Sequence, residues 1–465
     1  MRTIGCVAAT LILIVGLAAP FDDFGSLSQK AAGIALFAVV MWTIQPVSVE
    51  FSSLIILILL PLSGQLTFQE TFAPFAGSTV WLVFAGMVLS RAVETTALGD
   101  HLAARGFASF SRLSPFRLLL GAHLLGLGLA FLVPSGVIRV LLLTPIGVAI
   151  ARQIGAQDDR LTKAAIHLSL VCSTYFSGSG ILTGSVPNLV VAGQLELTTG
   201  LLTYWGEFLQ WMFPVVGLSR TALSLLVIWI FIGRKLDQRS WRPDVNVTRR
   251  EGDALDEGAL KRPQRNTLII LLVGVALWAT DILHSLPPVY VGLFLVAACT
   301  FPGKGPLPMD RLREINFPFF FYLVALFALG TTLQKSGLND LLIARAVQEI
   351  DMASYGWFGQ HFAIILALLP LDFTMDTGAV GGVATPTMIE LGMQYGLSPL
   401  ATAMCVAMAT SIVVFPYQAA PLMVGLNARH FSIGQLITCT AAIAAISVAI
   451  LYPINILYWH WLGLI

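Results

Sequence analysis

Two short stretches hold charges that an otherwise apolar chain has no ordinary use for. In "FLVPSGVIRVLLLTP" (131–145), Arg139 is the sole charge between Arg117 and Arg152. In "LPLDFTMDTG" (369–378), Asp372 and Asp376 lie four residues apart. A charge at the centre of an apolar span costs about 2.5–3.5 kcal/mol on insertion scales, so it marks a substrate or ion pathway by default. A guanidinium in that setting has three uses. It can grip a carboxylate, sulfonate or phosphate through paired hydrogen bonds. It can replace a bound cation, or it can pair with Asp376 or Asp372 and hold the two stretches together. Asp376 and Asp372 are accordingly candidates for a coupling-ion site or for that structural pair.

The elements that position these residues follow from composition. The chain has 465 residues, 57% hydrophobic and only 11% charged, with a mean hydropathy of +0.83. A soluble domain of this size needs far more surface charge. Charge-free runs of about 20 residues or more, the length that crosses a bilayer core, recur throughout. The sequence therefore predicts an all-α polytopic membrane protein. The balance of 26 basic and 25 acidic residues gives no electrostatic basis for nucleic-acid binding. The five cysteines lie scattered in apolar segments without metal or redox spacing.

Spans fit near 3–20, 31–48, 51–66, 75–96, 161–199, 208–233, 266–284, 288–302, 315–334, 397–428 and 432–461, about eleven in all. The N-terminal stretch reads as a retained first helix rather than a cleaved signal. Residues 1–30 thus form the first transmembrane helix and its outer loop. The hydrophilic segment 234–265 carries nine Lys and Arg residues, which places it in the cytoplasm by the positive-inside rule. Counting outward puts Arg105, Arg112, Arg160 and the N-terminus on that face, and Asp22, Asp23, Glu196 and Glu207 on the other. The count closes only if 116–152 and 358–394 each enter and leave by one face. Both are therefore expected as re-entrant hairpins, the first from the cytoplasm and the second from outside, with irregular tips lining a wet cavity. Trp205, Trp211, Trp459 and Trp461 fit an interfacial belt. Glu50, Arg91, Glu94, Arg220 and Glu390 fall near predicted helix ends, where snorkelling is the ordinary role.

The two halves, 31–233 and 266–465, echo each other. "ALGDHLAAR" (97–105) matches "GLNDLLIAR" (337–345), and "TPIGVAI" (144–150) matches "TPTMIEL" (385–391) at nearly the same offset. Hairpins entering from opposite faces make this an inverted-topology repeat, the architecture of secondary transporters with a midplane site.

These features, with "MWTIQPVSVEFSSLIILILLPLSGQLTFQETFAPFAGSTVWLVFAGMVLSRAVETTALGDHLA" (41–103), "GILTGSVPNLVVAGQL" (180–195) and "VFPYQAAPLMVG" (414–425), resemble the divalent anion:sodium symporters of the wider ion-transporter superfamily. The resemblance implies an elevator-type homodimer in the lipid bilayer of the cell (inner) membrane. It also implies hairpin tips bearing Ser-Asn-Thr motifs ten residues before a proline, which bind sodium and the substrate carboxylates. Here the corresponding tips read Ser135-Gly136-Val137 and Asp376-Thr377-Gly378. The Trp-x-Thr-Glu signature appears as "WTIQ" (42–45), and the second broken-helix turn as "YQAAP". These departures remove sodium ligands and argue against sodium coupling.

The expected substrate site is Ser135, Gly136, Arg139, Gly184, Ser185, Pro187, Asn188, Thr377, Gly378 and Gln418. Helix starts after each tip turn free N–H groups toward it. Gln418 either replaces a lost polar contact or satisfies a freed backbone group. The expected function is secondary transport of a small di- or tricarboxylate-like anion. Alternatives are sulfate, sulfonate or another oxyanion, and a proton-coupled or exchange carrier. A channel or membrane enzyme fits less well, since the histidines make no zinc motif. No cofactor or bound metal is expected beyond a transported Na+ or H+.

Overall fold

In the computed structural model, residues 2–18, 26–99, 101, 114–236, 241, 260–349 and 352–465 are described. Asp22, Asp23, Arg105, Arg112 and most of the segment 234–265 lie outside the described residues. Every regular element among those described is helical.

The first half runs α1 (Arg2–Ala18), α2 (Ser26–Ile44), α3 (Val49–Leu62), α4 (Ser78–Thr95), α5 (Pro115–Leu132), α6 (Gly136–Gln153), α7 (Arg160–Ser179), α8 (Val186–Thr199) and α9 (Trp205–Lys235). The second half runs α10 (Arg262–Ala279), α11 (Pro288–Cys299), α12 (Phe319–Lys335), α13 (Leu338–Glu349), α14 (Gly356–Asp372), α15 (Thr377–Gln394), α16 (Pro399–Ala409), α17 (Ala420–Asn427) and α18 (Ile433–Leu462). Six helices are long and apolar enough to cross a membrane alone, and up to eight spans result when each bent pair counts as one. Three of the six, α5, α6 and the span Met352–Asp372 that ends with α14, are arms of the two hairpins and were not among the eleven expected spans, whereas α3, α11 and α16, which were, are shorter apolar helices. Large apolar side chains such as Leu62 and Trp461 point outward, as a lipid-facing surface requires. The chain is a multi-pass membrane protein.

Two helix pairs and two broken helices shape the centre. Between α5 and α6, Val133 is extended because Pro134 follows it. Ser135 is then extended too, and its hydroxyl accepts from the Ile138 N–H at 3.3 Å to start α6. Between α14 and α15 the same part falls to Asp376, whose carboxylate accepts from the Gly378 N–H at 2.8 Å. The 161–199 stretch divides into α7 and α8 around a 3-10 turn at Leu182–Gly184, and Pro187 opens α8. The second half breaks in the same manner, with Pro416–Gln418 between α16 and α17. The halves interlock: α8 packs on α15 and α16, while α6 packs on α17.

Two sequence expectations change. Arg220 does not snorkel. It lies inside the α9 span, 0% exposed, with Nη1 donating to the Ser411 hydroxyl and Nη2 to the Ser411 carbonyl, both at 2.6 Å. Its guanidinium also stacks on Phe176 at 4.8 Å, so the break after α16 supplies the acceptor that snorkelling would otherwise seek in water. Trp205 and Trp459 are buried rather than interfacial. Their indole N–H groups donate to the Thr183 hydroxyl at 3.0 Å and the Trp211 carbonyl at 2.8 Å; Trp461 is exposed.

Candidate functional site

A broken helix frees carbonyls that no intrahelical N–H can reach, and in an apolar interior each must find a donor. Arg139 is that donor for the first break. Its Nη1 donates to the Val133 carbonyl at 2.7 Å, and its Nη2 to the carbonyls of Gly184 at 2.8 Å and Thr174 at 3.2 Å. The fork thus ties the α5–α6 tip to both sides of the α7–α8 break. The side chain is 1% exposed, and its Nε has no partner. Among the described residues no carboxylate forms an ion pair with it. The pair with Asp376 or Asp372, open as an alternative at the level of sequence, is not formed. Gly178 makes room for the head group, because a Cβ there would meet Nη2 at 2.3 Å.

A cavity of about 730 Å³ lies beside this fork. Ser135, Gly136, Arg139, Gly184, Ser185 and Pro187 line it from the first half, and Asp376, Thr377 and Gly378 from the second. Both tips therefore face one space, as the spacing argument requires. Asp376 is half-buried there. Its Oδ1 accepts from the Tyr322 hydroxyl at 3.0 Å as well as from Gly378. Glu50, Arg91, Glu94 and Glu314 also line the cavity, where the ends of α3 and α4 approach the segment before α12. Arg91 bridges Glu94 at 2.7 Å and also pairs with Glu314. Arg91 and Arg311, which donate to it, hold the Glu314 carboxyl below the usual carboxylate range.

Three expected residues lie outside the cavity lining. Asn188 is buried and donates to the carbonyls of Ser179 and Ile181 at 3.1 and 2.9 Å, so it closes the first break from within. Gln418 is 0% exposed. Its carbonyl accepts from the N–H groups of Val414 and Phe415 at 2.8 and 2.7 Å, and its amide donates to the Asp372 carbonyl. Of the two roles weighed for Gln418, the structure has it satisfying freed backbone groups. Asp372, a candidate for the coupling-ion site or the structural pair, is 0% exposed with neither carboxylate oxygen partnered. It ends α14, and the turn that follows folds it inward.

Sequence reasoning missed Tyr322, Tyr175 and Trp42, all of which line the cavity. Trp42 packs edge-on to Tyr322 at 5.4 Å. The "WTIQ" signature was the one available signal, since it places Trp42 and Gln45 together; a lone tyrosine in an apolar helix carries none. Among the described residues no three His, Cys, Asp or Glu side chains gather as a metal site would need.

Apolar helices around a cavity walled by two helix breaks and two tips define a membrane transporter. The model of a family described as "Citrate transporter" matches residues 39–407, and the chain belongs to that family, one of transporters and not of enzymes. A "Sodium-dependent dicarboxylate transporter SdcS" of Staphylococcus saprophyticus is 23% identical over 88% of this chain and 82% of its own. A "Membrane protein" of Cupriavidus necator is 25% identical over 99% and 93%. An "Uncharacterized transporter" of Haemophilus influenzae is 21% identical over 92% of each. The expected kinship with divalent anion:sodium symporters is borne out, and with it anion transport at the level of the family.

Proposed function

We propose that this protein is a sodium-independent secondary carrier of a small organic anion, with the cavity between the two tips as its transport site. The observation that carries the proposal is Arg139. Three carbonyls around a helix break are the kind of oxygen cage a small cation occupies, and here a guanidinium occupies them. A fixed charge leaves no room for a dissociable one and keeps the site positive throughout the cycle. The substrate carboxylate then meets the start of α6 and the start of α8, with the buried charge behind them.

Asp372 supports a proton as coupling ion. Burying an unpaired carboxylate costs several kcal/mol, which a bound proton removes. The elevator motion, the homodimer and the inner-membrane location come from family resemblance. The inverted repeat is supported by the hairpin-plus-broken-helix order in both halves. Lys235, Lys261, Arg262 and Arg265 at the facing ends of α9 and α10 support a cytoplasmic connection between the halves, and a cytoplasmic N-terminus by counting. On that orientation the mouth near Glu94 and Glu314 opens inward.

The test is uptake of labelled succinate and labelled 4-hydroxybutyrate into proteoliposomes under separate sodium and proton gradients, with Ser185→Leu to fill the cavity. Uptake of either anion that ignores sodium and is lost in the variant is the expected result. Uptake indifferent to Ser185→Leu would place the transport site elsewhere.

A further inference from the structure

The two tips that face the cavity are chemically opposite. The start of α6 adds its dipole to the buried charge of Arg139, and no acid lies within ion-pairing distance of that guanidinium among the described residues. The start of α15 carries a carboxylate, and Asp376 covers that helix end with it by accepting from Gly378. One tip therefore offers donors to an anion, while the other offers an acceptor. Asp376 is half-buried on the cavity wall, with Oδ1 already taken by Tyr322 and Gly378. Of the other acidic groups on the cavity wall, Glu94 and Glu314 pair with Arg91, and Glu50 lies in the first turn of α3. Among the described residues no cation forms an ion pair with Asp376, so the second tip keeps its negative charge.

A symmetric dicarboxylate would set its second carboxylate against Asp376. Like charges a few ångströms apart in a site with apolar walls repel strongly, whereas a hydroxyl or an ammonium would complete the acceptor. We propose that the transported molecule is a carboxylate whose far end is a hydrogen-bond donor, a hydroxy acid or amino acid, with its carboxylate at the first tip and its donor at Asp376. This inference rests on the cavity being the transport site.

The experiment is ligand-induced thermal stabilisation of the purified full-length protein in detergent at pH 7.5. The probes are butyrate, succinate, 4-hydroxybutyrate and 4-aminobutyrate. The hydroxy or amino compound is expected to bind at least tenfold more tightly than succinate and butyrate. The two compounds in turn report whether a hydroxyl or an ammonium is the preferred donor. Asp376→Asn is expected to cut that preference to threefold or less, because an amide no longer repels a second carboxylate. Succinate binding as tightly as the donor-bearing compounds in the unsubstituted protein, or no response to either of them, would overturn the inference. A preference unchanged in Asp376→Asn would do so too. Ser185→Leu separates this failure from failure of the site itself. If succinate is favoured and the variant abolishes its binding, the site stands and the donor requirement falls. If stabilisation by every probe survives the variant, the site assignment falls and the inference with it.

Discussion

Arg139 explains why one charge sits in an apolar hairpin. The cost of burying a cation is offset by the Val133 and Gly184 carbonyls, which would otherwise be left unmade at about 1–3 kcal/mol each, and by a third bond to Thr174 inside α7. Arg139→Ala should therefore lower stability by about 3 kcal/mol or more, read as a large drop in the melting temperature of the detergent-purified protein. Arg139→Lys keeps the charge but not the fork, and should recover only part of the loss. Gly178→Ala should reproduce the arginine defect, since its Cβ would strike Nη2. Gly128→Ala, with open space around its Cβ, should be neutral or stabilise by up to about 1 kcal/mol. Equal melting temperatures for the two glycine variants would contradict this packing. The arginine itself was legible in the sequence, because a single charge stands out against an apolar run. Its partners were not, because they are backbone carbonyls and carry no sequence signal. For the same reason Asn188 and Gln418 looked like substrate ligands, whereas each closes a helix break.

At the scale of elements, the breaks were legible and their internal bonding was not. Pro134 with Gly136 and Pro187 with Gly184 marked where helices stop, and the structure breaks them there, while the break at Pro416–Gln418 was expected from the resemblance alone. What the pattern could not give is which side chain replaces the lost ladder. In the second break that side chain is Gln418, which holds Val414, Phe415 and the end of α14 at once. Gln418→Ala should destabilise by about 1–3 kcal/mol through orphaned N–H groups. Gln418→Glu should cost at least as much, since it keeps the acceptor for the two N–H groups but buries a carboxylate against the Asp372 carbonyl. A melting curve for each variant checks the order; a milder effect from glutamate would mean that the two N–H contacts dominate. The tryptophan belt misled for a related reason. Aromatic residues near span ends read as interfacial, but a helix break nearby offers buried acceptors for their N–H groups.

Across the whole molecule, surface ion pairs connect segments far apart in sequence. Glu70 pairs with Lys335 and also caps its own short helix with Thr67. These hydrogen bonds, Lys335 first, lower its carboxyl from 4.5 to about 2. A carboxyl lowered in the folded state adds stability above its unfolded value, and that contribution fades as pH falls from about 4.5 toward 2. Melting temperature should accordingly decline over that window, and less steeply in Glu70→Gln; an identical decline would assign the acid sensitivity to other groups. The all-helical, multi-pass character was legible at this scale, since composition and the lengths of the apolar runs dictate it. The chemical contrast between the tips was legible only in part: the repeat brought both tips to one site and showed Asp376 as a charge, but not its bonds to Tyr322 and Gly378.

Sodium dependence is the most direct test of Arg139 as a fixed cation. Initial rates of uptake of labelled succinate and labelled 4-hydroxybutyrate into proteoliposomes should be compared with sodium present on the outside and with sodium fully replaced by choline. Equal rates are predicted, because the carbonyls at the first break are already filled. A tenfold or greater loss without sodium would contradict that role, and would mean that a cation binds beside the arginine rather than being replaced by it.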